Sequence, residues 1–591
     1  MNIMGIKIGV VTDSSQANIV IKLDSIEIFE SNKSSIRVGK YVSIEEGNFN
    51  NILAVIQSIK TSKNDSTNEL NYVITTQSIG SYFIKDDDTV EFKQGGTNLP
   101  SPTEIVSIPD EEVINKIFSK DSGCSYYVGK LLNNDTVKYF LNGNKFFSKH
   151  IAVVGSTGSG KSYAVAKLLQ EAAGIKNGKN INAGVLKNSH IIIFDIHSEY
   201  KSAFKLEQDF NVNILNVDKL SLPYWLMNSE ELESLFIESN ESNSHNQISQ
   251  FKKAVILSKE KHNPDYRKVT YDMPVYFDIN EVYNYIQNLN NEVINKKDGE
   301  QFLPKLSDGT LVDDRKRYLD SLLAFAPAST AAATKASNGP FNPGFERFLT
   351  RLETKMHDKR LDFIINPKKD NGESYKTNDF EEILKSFLGY INTSNVTIID
   401  LSAIPFEVLS IVVSLLSRVI FDFAFHYSKY KHECGAKNDI PFLIVCEEAH
   451  NYIPQNGGAE YNASKKSLER IAKEGRKYGL SLMVVSQRPS EVSGTIFSQC
   501  NNFVALRLTN ANDQSYIKSL LPDNSSILVD TLPTLSAGEC LVVGDSVPIP
   551  AIVKLDKPCP TPESDSVDVF DEWQKNWVEI TFNEIIKRWR N

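Results

Sequence analysis

Cysteine is scarce in this chain, and none of its six cysteines forms a CxxC pair or another spacing typical of zinc ligands. A disulfide framework or a structural zinc site is therefore not predicted, and reduced thiols are expected. The first residues also lack the long apolar stretch and cleavage site of a signal peptide. Together these absences predict a cytoplasmic protein.

The chain also lacks an excess of positive charge and an uncharged run long enough to cross a membrane. Its formal net charge is −10, so contact with nucleic acid would need a local basic patch or a lined channel. The longest apolar run, residues 409–425, contains Arg418 and Asp422, which indicates a core helix rather than a membrane span. A hydrophobic fraction of 41% is that of an ordinary globular protein.

Changes of pattern divide the 591 residues into five segments. Residues 1–125 contain short alternating runs separated by turn residues, which predict a small β-barrel or sandwich. Continuous apolar runs alternate with helical stretches in residues 126–204 and 396–555, as in a parallel sheet buried on both faces. The polar, helical pattern of residues 205–395 indicates a helical insertion. In the tail, residues 556–591, three tryptophans are expected to brace another surface: Trp573, Trp577 and Trp589.

Residues 155–162 read GSTGSGKS, the GxxxxGK[ST] pattern of a phosphate-binding loop. The apolar run IAVVG precedes it and a helical pattern follows, which is the context that the motif requires. The glycines let backbone N–H groups turn toward a β-phosphate, and the positive end of the helix faces the same anion. Lys161 is predicted to reach the β- and γ-phosphate oxygens, and the Ser162 hydroxyl to bind Mg²⁺. The loop assigned to ATP comprises Gly155, Ser156, Thr157, Gly158, Ser159, Gly160, Lys161 and Ser162.

Two acids follow a second apolar run, PFLIVC. Glu447 is predicted to hold Mg²⁺ through water, and Glu448 to act as the general base toward the attacking water. Aspartate is usual on the metal side, so Glu447 is a departure. An acid beside the metal-side carboxylate is typical of P-loop ATPases whose sheet inserts an additional strand between the two motifs; an ordinary pair of acids at a helix start is the alternative. The sequence thus predicts an ATP-hydrolysing enzyme.

Further polar residues follow other apolar runs. The ATPase branch with the additional strand has a polar sensor at the tip of its next strand, and Gln487 fits that position as a hydrogen-bond partner of the attacking water or the γ-phosphate; a strand-end cap is the alternative. His450 is either a coupling residue or a satisfied core histidine. Asp195 and Glu199 either orient waters of the site or cap the next helix.

A basic segment, RIAKEGRKYG, precedes the sensor strand. In ring ATPases an arginine reaches the γ-phosphate of the neighbouring subunit and neutralises the charge of the transition state. Arg476 is the first candidate for this role and Arg470 the second. The alternative is that both belong to a solvated basic helix face.

With these residues placed, the chain resembles the HerA family of hexameric DNA translocases, within the wider HerA/FtsK group. The resemblance covers most of the chain, and it is carried by motifs that are similar to those of the family in order and type. These are GSTGSGKS, FDIHSEY, LPYWLM, IIDLS, EEAHNYIP, EGRKYGLSLMVVSQRPS and GECLVVGDSVPIPAIV. The family usually shows Asp-Glu-Ala-His where this chain has Glu447 first.

The resemblance implies a RecA-like core, a homo-hexameric ring and ATP-driven movement along double-stranded DNA through a central pore. It also implies a nuclease partner or, in bacterial antiphage systems, another effector such as a sirtuin-like NADase. The expected fold is α/β: a RecA-like additional-strand P-loop ATPase core with an N-terminal small β-barrel and a helical insertion. The alternative function is a regulatory or scaffolding ring ATPase that organises and activates a partner enzyme. No membrane partner is expected.

Overall fold

The fold comes from a computed structural model of the chain, which describes residues 5–590 apart from short internal segments. The segments outside the description are residues 16–17, 48–49, 64–69, 86–87, 96–98, 119–123, 177–178, 181–186, 207–209, 238–243, 457, 459–460, 522–525 and 565–566. Two sheets dominate the described residues, one with seven strands near the amino terminus and one with eleven.

The seven-stranded sheet contains a closed barrel. Its strands are β1 (Ile6–Ser14), β2 (Ile19–Leu23), β3 (Tyr41–Glu46), β4 (Asn50–Lys63), β5 (Leu70–Ile84), β6 (Val90–Gln94) and β7 (Ile105–Ile108), with helix α1 (Ile26–Ser31) after β2. Strand β2 pairs with both β1 and β5, so six strands close into an antiparallel ring and β6 extends from β5. Closure removes the free edges of these strands. The apolar side chains inside form a core of their own, and the predicted small barrel is confirmed.

The eleven-stranded sheet forms the centre of the molecule. Its strands are β8 (Ser125–Leu131), β9 (Asn134–Asn142), β10 (His150–Val154), β13 (His190–Asp195), β14 (Val212–Leu215), β17 (Val396–Asp400), β18 (Phe442–Cys446), β19 (Leu480–Ser486), β20 (Cys500–Ala505), β21 (Glu539–Gly544) and β22 (Ala551–Leu555). Two small pairs stand apart: β11 (Ile175–Lys176) with β12 (Lys179–Asn180), and β15 (Val293–Asn295) with β16 (Ala336–Asn338). The order across the large sheet is β14-β17-β13-β18-β19-β10-β20-β21-β22-β8-β9.

The order of the parallel strands confirms the predicted class of ATPase core. Strands β14 to β20 in this order are parallel, and the remaining four are antiparallel. Strand β19 lies between β10, which leads into residues 155–162, and β18, which ends before the acid pair. It is the additional strand that the acid pair predicts. Because parallel strands end at one edge, the loops after β10, β18, β19 and β20 meet there.

Helices cover both faces of this sheet. They are α2 (Glu111–Phe118), α3 (Gly143–Phe147), α4 (Lys161–Ala173), α5 (Lys201–Phe204), α6 (Ser229–Phe236), α7 (Ser244–His262), α8 (Ile279–Asn291), α9 (Glu346–Met356), α10 (Asp362–Ile365), α11 (Phe380–Phe387), α12 (Phe406–Glu433), α13 (Asn462–Glu474), α14 (Gly494–Phe497), α15 (Ala511–Leu520), α16 (Ser526–Val529), α17 (Val569–Trp573) and α18 (Phe582–Arg590). Alternate residues of β10 enter different apolar clusters: Ile151 and Val153 pack on the α4 side of the sheet, and Ala152 and Val154 pack on the α12 side.

Helix α12 is long and apolar enough to cross a membrane, but 78% of its most apolar stretch is buried in this fold, as predicted for a core helix.

Residues 205–395 contain the predicted helices, α6 to α11, but they also contain β14, β15 and β16 and long stretches without regular secondary structure. Their apolar side chains continue the cluster under α12, and β14 within them joins the edge of the central sheet. A buried ion pair links the two regions, because Arg418 of α12 donates to Glu231 of α6 at 2.8 Å and Glu231 is fully buried. Removing one partner of such a pair leaves an uncompensated buried charge, so loss of either Arg418 or Glu231 should destabilise the fold strongly.

The tryptophans of the carboxyl-terminal tail, in contrast, are exposed. After the β21–β22 hairpin, the side chains of Trp573, Trp577 and Trp589 are 82%, 92% and 86% exposed. They brace no surface among the described residues. Their predicted bracing role therefore stays a prediction for a surface outside this chain.

Candidate nucleotide-binding site

Residues 155–162 connect the end of β10 to the start of α4. Gly158 and Gly160 have φ angles of 70° and 91°, a left-handed backbone region that side chains disfavour. Lys161 is the first residue of α4 and Ser162 the second, so the loop lies at the positive end of the helix dipole. The strand, loop and helix that the phosphate-binding motif requires are all present.

The inside of this loop suits a small anion rather than a side chain. A Cβ atom at Gly155 would lie 2.5 Å from Ser159 Oγ and 2.9 Å from Leu506 Cβ. The Ser159 side chain is fully buried, and its hydroxyl has no hydrogen-bond partner among the described residues. Buried polar groups need such partners, and a phosphate oxygen would provide one. The loop therefore fits the phosphates of a nucleotide.

The loop after β20 supports the phosphate loop, and the sequence-based candidates omit it. The backbone N–H of Ser156 donates to Arg507 O at 2.8 Å, and that of Thr509 donates to Ser156 Oγ at 3.1 Å. Arg507 Nη2 lies 3.5 Å from Gly158 O, and its Nε is buried with no partner in the described part of the chain. The only signal in the sequence is that Arg507 follows the apolar run NFVAL. The structure thus adds a positive charge beside the phosphate loop.

The acid pair predicted after β18 lies beside the same loop. Glu447 and Glu448 are 3% and 7% exposed. Glu448 Oε1 lies 3.6 Å from Lys161 Nζ, and both side chains are largely buried. Charges attract more strongly in such a low-dielectric setting than in water. The structure therefore brings together the predicted phosphate-binding lysine and the predicted general base.

Glu447 follows β18 beside Asp195, the last residue of the neighbouring β13, and its Oε2 accepts a hydrogen bond from the Ile196 N–H at 3.2 Å. Burial, reinforced by the charge of Asp195, raises the pKa of Glu447 well above its usual value. Burial also raises the pKa of Asp195, although this carboxylate accepts hydrogen bonds from the backbone N–H groups of Glu199 and Tyr200. Asp195 therefore caps the following turn, as one of its two interpretations predicted, and also contacts the acid pair.

These carboxyl groups suit Mg²⁺. A divalent cation would favour their ionised forms. Mg²⁺ needs only one or two protein carboxylates beside phosphate oxygens and water. The described residues contain no group of three or more His, Cys, Asp and Glu side chains arranged to hold a metal. Ser162 lies at the start of α4, as its predicted role requires.

Gln487, at the end of β19, contacts both halves of the site. Its side-chain oxygen accepts a hydrogen bond from Thr157 Oγ1 at 2.6 Å. Its backbone N–H donates to Glu448 Oε2 at 3.3 Å. The amide thus lies between the phosphate loop and the predicted general base, which favours a sensor over a simple strand-end cap.

Known proteins match this chain over most of its length. The family profile described as "Helicase HerA, central domain" matches residues 126–420, from β8 into α12. The DNA double-strand break repair helicase HerA of Sulfolobus acidocaldarius is 26% identical over 580 residues, covering 94% of this chain and 96% of the relative. The protein of the same name from Sulfurisphaera tokodaii is 25% identical over 571 residues, with the same coverage of 94% and 96%.

The chain belongs to the HerA family. It is an ATP-hydrolysing enzyme. Among solved structures, VirB4 of Thermoanaerobacter pseudethanolicus matches with 14% identity and a TM-score of 0.44, over 74% of this chain and 97% of that one. The plasmid coupling protein TrwB in complex with ADP and Mg²⁺ matches with 13% identity and a TM-score of 0.42, over 75% and 91%.

The two arginine candidates of this HerA-family ATPase have different surroundings. The Arg470 guanidinium lies 4.3 Å from the centre of the Phe421 ring, and its Nη1 lies 3.8 Å from Asp422 Oδ1. Arg476 is exposed, and its Nη1 donates to Asn501 Oδ1 at 3.2 Å. Asn501 is the second residue of β20, whereas the phosphate loop follows the last residue of the parallel neighbour β10. Arg476 thus lies toward the edge of the sheet opposite its own phosphate loop.

His450 lies inside the site of this HerA-family protein. Its Nδ1 is 3.3 Å from Glu448 Oε2 and 3.4 Å from Ser486 Oγ. Burial lowers the pKa of His450, and the charge of Glu448 opposes that change. Of the predicted site residues, the structure brings the phosphate loop, both acids, Gln487 and His450 together and leaves the basic segment apart.

Proposed function

We propose that this HerA-family ATPase forms a ring that uses ATP hydrolysis to move double-stranded DNA through a central pore. The observation that carries the proposal is the separation of the catalytic groups within one chain. The phosphate loop, the acid pair and Gln487 meet at one edge of the sheet, whereas the exposed Arg476 lies toward the other. In a head-to-tail ring, one subunit can complete the site of the next. The names of the relatives, DNA double-strand break repair helicases, support DNA as the substrate.

Each side chain of the site has a distinct part in hydrolysis. Lys161 neutralises the β- and γ-phosphate oxygens, and the Glu448 carboxylate accepts a proton from the attacking water. Gln487 orients that water or the γ-phosphate through its amide. Mg²⁺, when bound, would supply positive charge at the phosphates, and Ser162 and Glu447 are the residues that would hold it.

The neighbouring subunit supplies the remaining charge. Arg476 of one copy stabilises the charge that develops on the γ-phosphate bound by the next copy. Six copies in a closed ring follow the architecture that the family resemblance implies, and the working compartment is the cytoplasm.

ATP turnover should rise when long double-stranded DNA is added, because a motor couples hydrolysis to movement along its track. DNA affinity should be independent of sequence and should fall linearly with salt on a log–log scale, since a pore contacts phosphates rather than base edges. Phosphate release with and without DNA, and binding across a salt series with two unrelated duplexes of equal length, measure these effects. If DNA left the rate of ATP turnover unchanged and DNA affinity did not vary with salt, the proposed motor function would be wrong.

The second candidate is a regulatory or scaffolding ring ATPase, and the acidic net charge of −10 favours it. Its ring would organise and activate a partner enzyme, with DNA a minor ligand. In the DNA experiment this candidate predicts turnover that does not respond to DNA. Addition of the partner enzyme would instead change the rate.

The motor is further proposed to act with a separate effector, a nuclease or a sirtuin-like enzyme, in antiviral defence. Two observations support an effector in another chain. Among the described residues, no group of three or more His, Cys, Asp and Glu side chains is arranged as the metal centre of a nuclease. The barrel has an apolar core of its own, so it is a self-contained unit available for docking.

An effector should co-purify with the full-length protein from its native host and should be lost when residues 1–109 are deleted. This deletion removes the barrel but keeps α2, because Val113 and Ile117 pack into the ATPase core. Sedimentation of the truncated chain with an ATP analogue checks that the ring still assembles. If the truncated ring still co-purified with the effector, the barrel would not be the docking site. If no effector co-purified with the full-length protein, the proposed partnership would be wrong.

A further inference from the structure

The carboxylate of Glu448 is held at three points. Its Oε1 lies 3.6 Å from Lys161 Nζ. Its Oε2 accepts a hydrogen bond from the Gln487 backbone N–H at 3.3 Å and lies 3.3 Å from His450 Nδ1. The proposed function uses the first two partners and leaves the histidine without a role.

The backbone of Glu448 shows that this orientation is imposed. Its φ and ψ angles are 42° and 50°, a left-handed conformation that is uncommon outside glycine. The Asn451 N–H donates to Glu448 O at 2.9 Å, and the Tyr452 hydroxyl donates to Glu447 O at 3.0 Å. Strained residues of this kind persist only where their surroundings hold them, and they concentrate at functional sites.

His450 is held so that Nδ1 faces the carboxylate. A carboxylate only accepts hydrogen bonds, so a hydrogen bond across this 3.3 Å distance needs the tautomer with the proton on Nδ1. Ser486 Oγ lies 3.4 Å from the same nitrogen and accepts a hydrogen bond from the Arg488 N–H at 3.0 Å. The ring therefore links the loop after β18 to the tip of β19.

A histidine with a purely structural role in the same chain looks different. His150 is fully buried in β10, its Nε2 lies 2.9 Å from Ala472 O, and its Nδ1 accepts from the Leu482 N–H at 3.0 Å. Both of its nitrogens are satisfied by backbone groups of the fold. His450 instead directs its nitrogen at two side chains of the nucleotide site.

We propose that His450 is a positioning residue that holds the Glu448 carboxylate with Oε1 directed at the phosphate loop. The proposal rests on the general-base role given to Glu448 above. Oε1 lies 3.6 Å from Lys161 Nζ in that loop, whereas His450 and the Gln487 N–H contact Oε2. The two contacts on Oε2 thus fix the direction of Oε1.

The step that this arrangement serves is proton transfer from water. The proton passes to Glu448 Oε1, the water oxygen bonds to the γ-phosphorus, and the bond to the bridging oxygen breaks to leave ADP. Without His450 the Glu448 carboxylate can still accept a proton, but its orientation toward the attacking water is no longer fixed. The loss should therefore lower kcat and leave nucleotide binding intact.

His450→Ala should lower kcat by about tenfold to a hundredfold, a part of the ~10²–10⁴ that a general base contributes. The KM for ATP and the affinity for a non-hydrolysable analogue should change by less than about twofold. His450→Asn should recover most of the rate, because its amide N–H occupies nearly the same place as Nδ1–H. Steady-state phosphate release measures all three, and unfolding temperature and ring assembly check the fold.

A double substitution separates positioning from structure. In a Glu448→Gln background, His450→Ala should cause no further loss, since the histidine acts only through that carboxylate. Normal kcat in His450→Ala, or an equal further loss in the double variant, would overturn the positioning role. Full activity of Glu448→Gln alone would instead overturn the proposed base, so the two failures are distinguishable.

Discussion

Glu448→Gln should bind ATP as well as the unsubstituted protein does and lose nearly all hydrolysis. An amide cannot take the proton of the attacking water, so kcat should fall by about 10²–10⁴. Binding should survive, because the lost charge lies 3.6 Å from Lys161 Nζ and competes with the nucleotide for that lysine. Steady-state phosphate release gives the rate, and titration with a fluorescent ATP analogue gives the affinity.

Lys161→Ala is the matched control for this experiment. It removes the other half of the same ion pair, but the lost group is the cation that faces the phosphates. This variant should therefore lose binding as well as turnover. Normal phosphate release by Glu448→Gln would exclude Glu448 as the base, and tight nucleotide binding by Lys161→Ala would exclude the predicted phosphate contact.

Arg476→Ala should leave ATP binding nearly unchanged and lower hydrolysis by about 10³–10⁵, the usual contribution of an arginine supplied in trans. Mixed rings test where the arginine acts. In rings of Lys161→Ala and Arg476→Ala subunits, roughly one interface in four combines both intact groups at equal mixing, because ring contacts join unlike faces. Partial recovery of phosphate release is the expected result.

Arg470→Ala is the matched control for the trans assignment. It removes a neighbouring arginine of the same basic segment, but this side chain lies over the Phe421 ring and near Asp422. Its loss should affect packing around α12 more than turnover. Mixed rings that are confirmed by mass and show no recovery at any ratio would count against Arg476. A collapse of hydrolysis in Arg470→Ala alone would move the role to Arg470.

The most local parts of the site were predictable from residues near each other in the chain. The phosphate loop needs glycines at positions 158 and 160 for its left-handed turns, and Lys161 and Ser162 must open the helix. These requirements fall on consecutive residues, so the motif and its flanking pattern suffice. The barrel was predictable for a similar reason, since alternating strands and turn residues recur along the first segment.

Contacts between distant segments were not predictable in the same way. Arg507 lies beside Gly158 only because β20 is the neighbour of β10 in the sheet. Asp195 and Glu447 lie side by side only because β13 and β18 are adjacent. The spacing of these residues along the chain does not indicate either of the two contacts.

The backbone conformation of the phosphate loop, the apolar strands and the chemistry of the acid pair are all consequences of local residue types, because φ preferences, hydrophobic period and side-chain functional groups act within a few positions. The order of the strands is a global property, since it depends on how all the apolar faces are buried at once. That order decides which side chains meet at the sheet edge: it places Gln487 against Thr157 and Glu448, and it leaves Arg476 near the far edge.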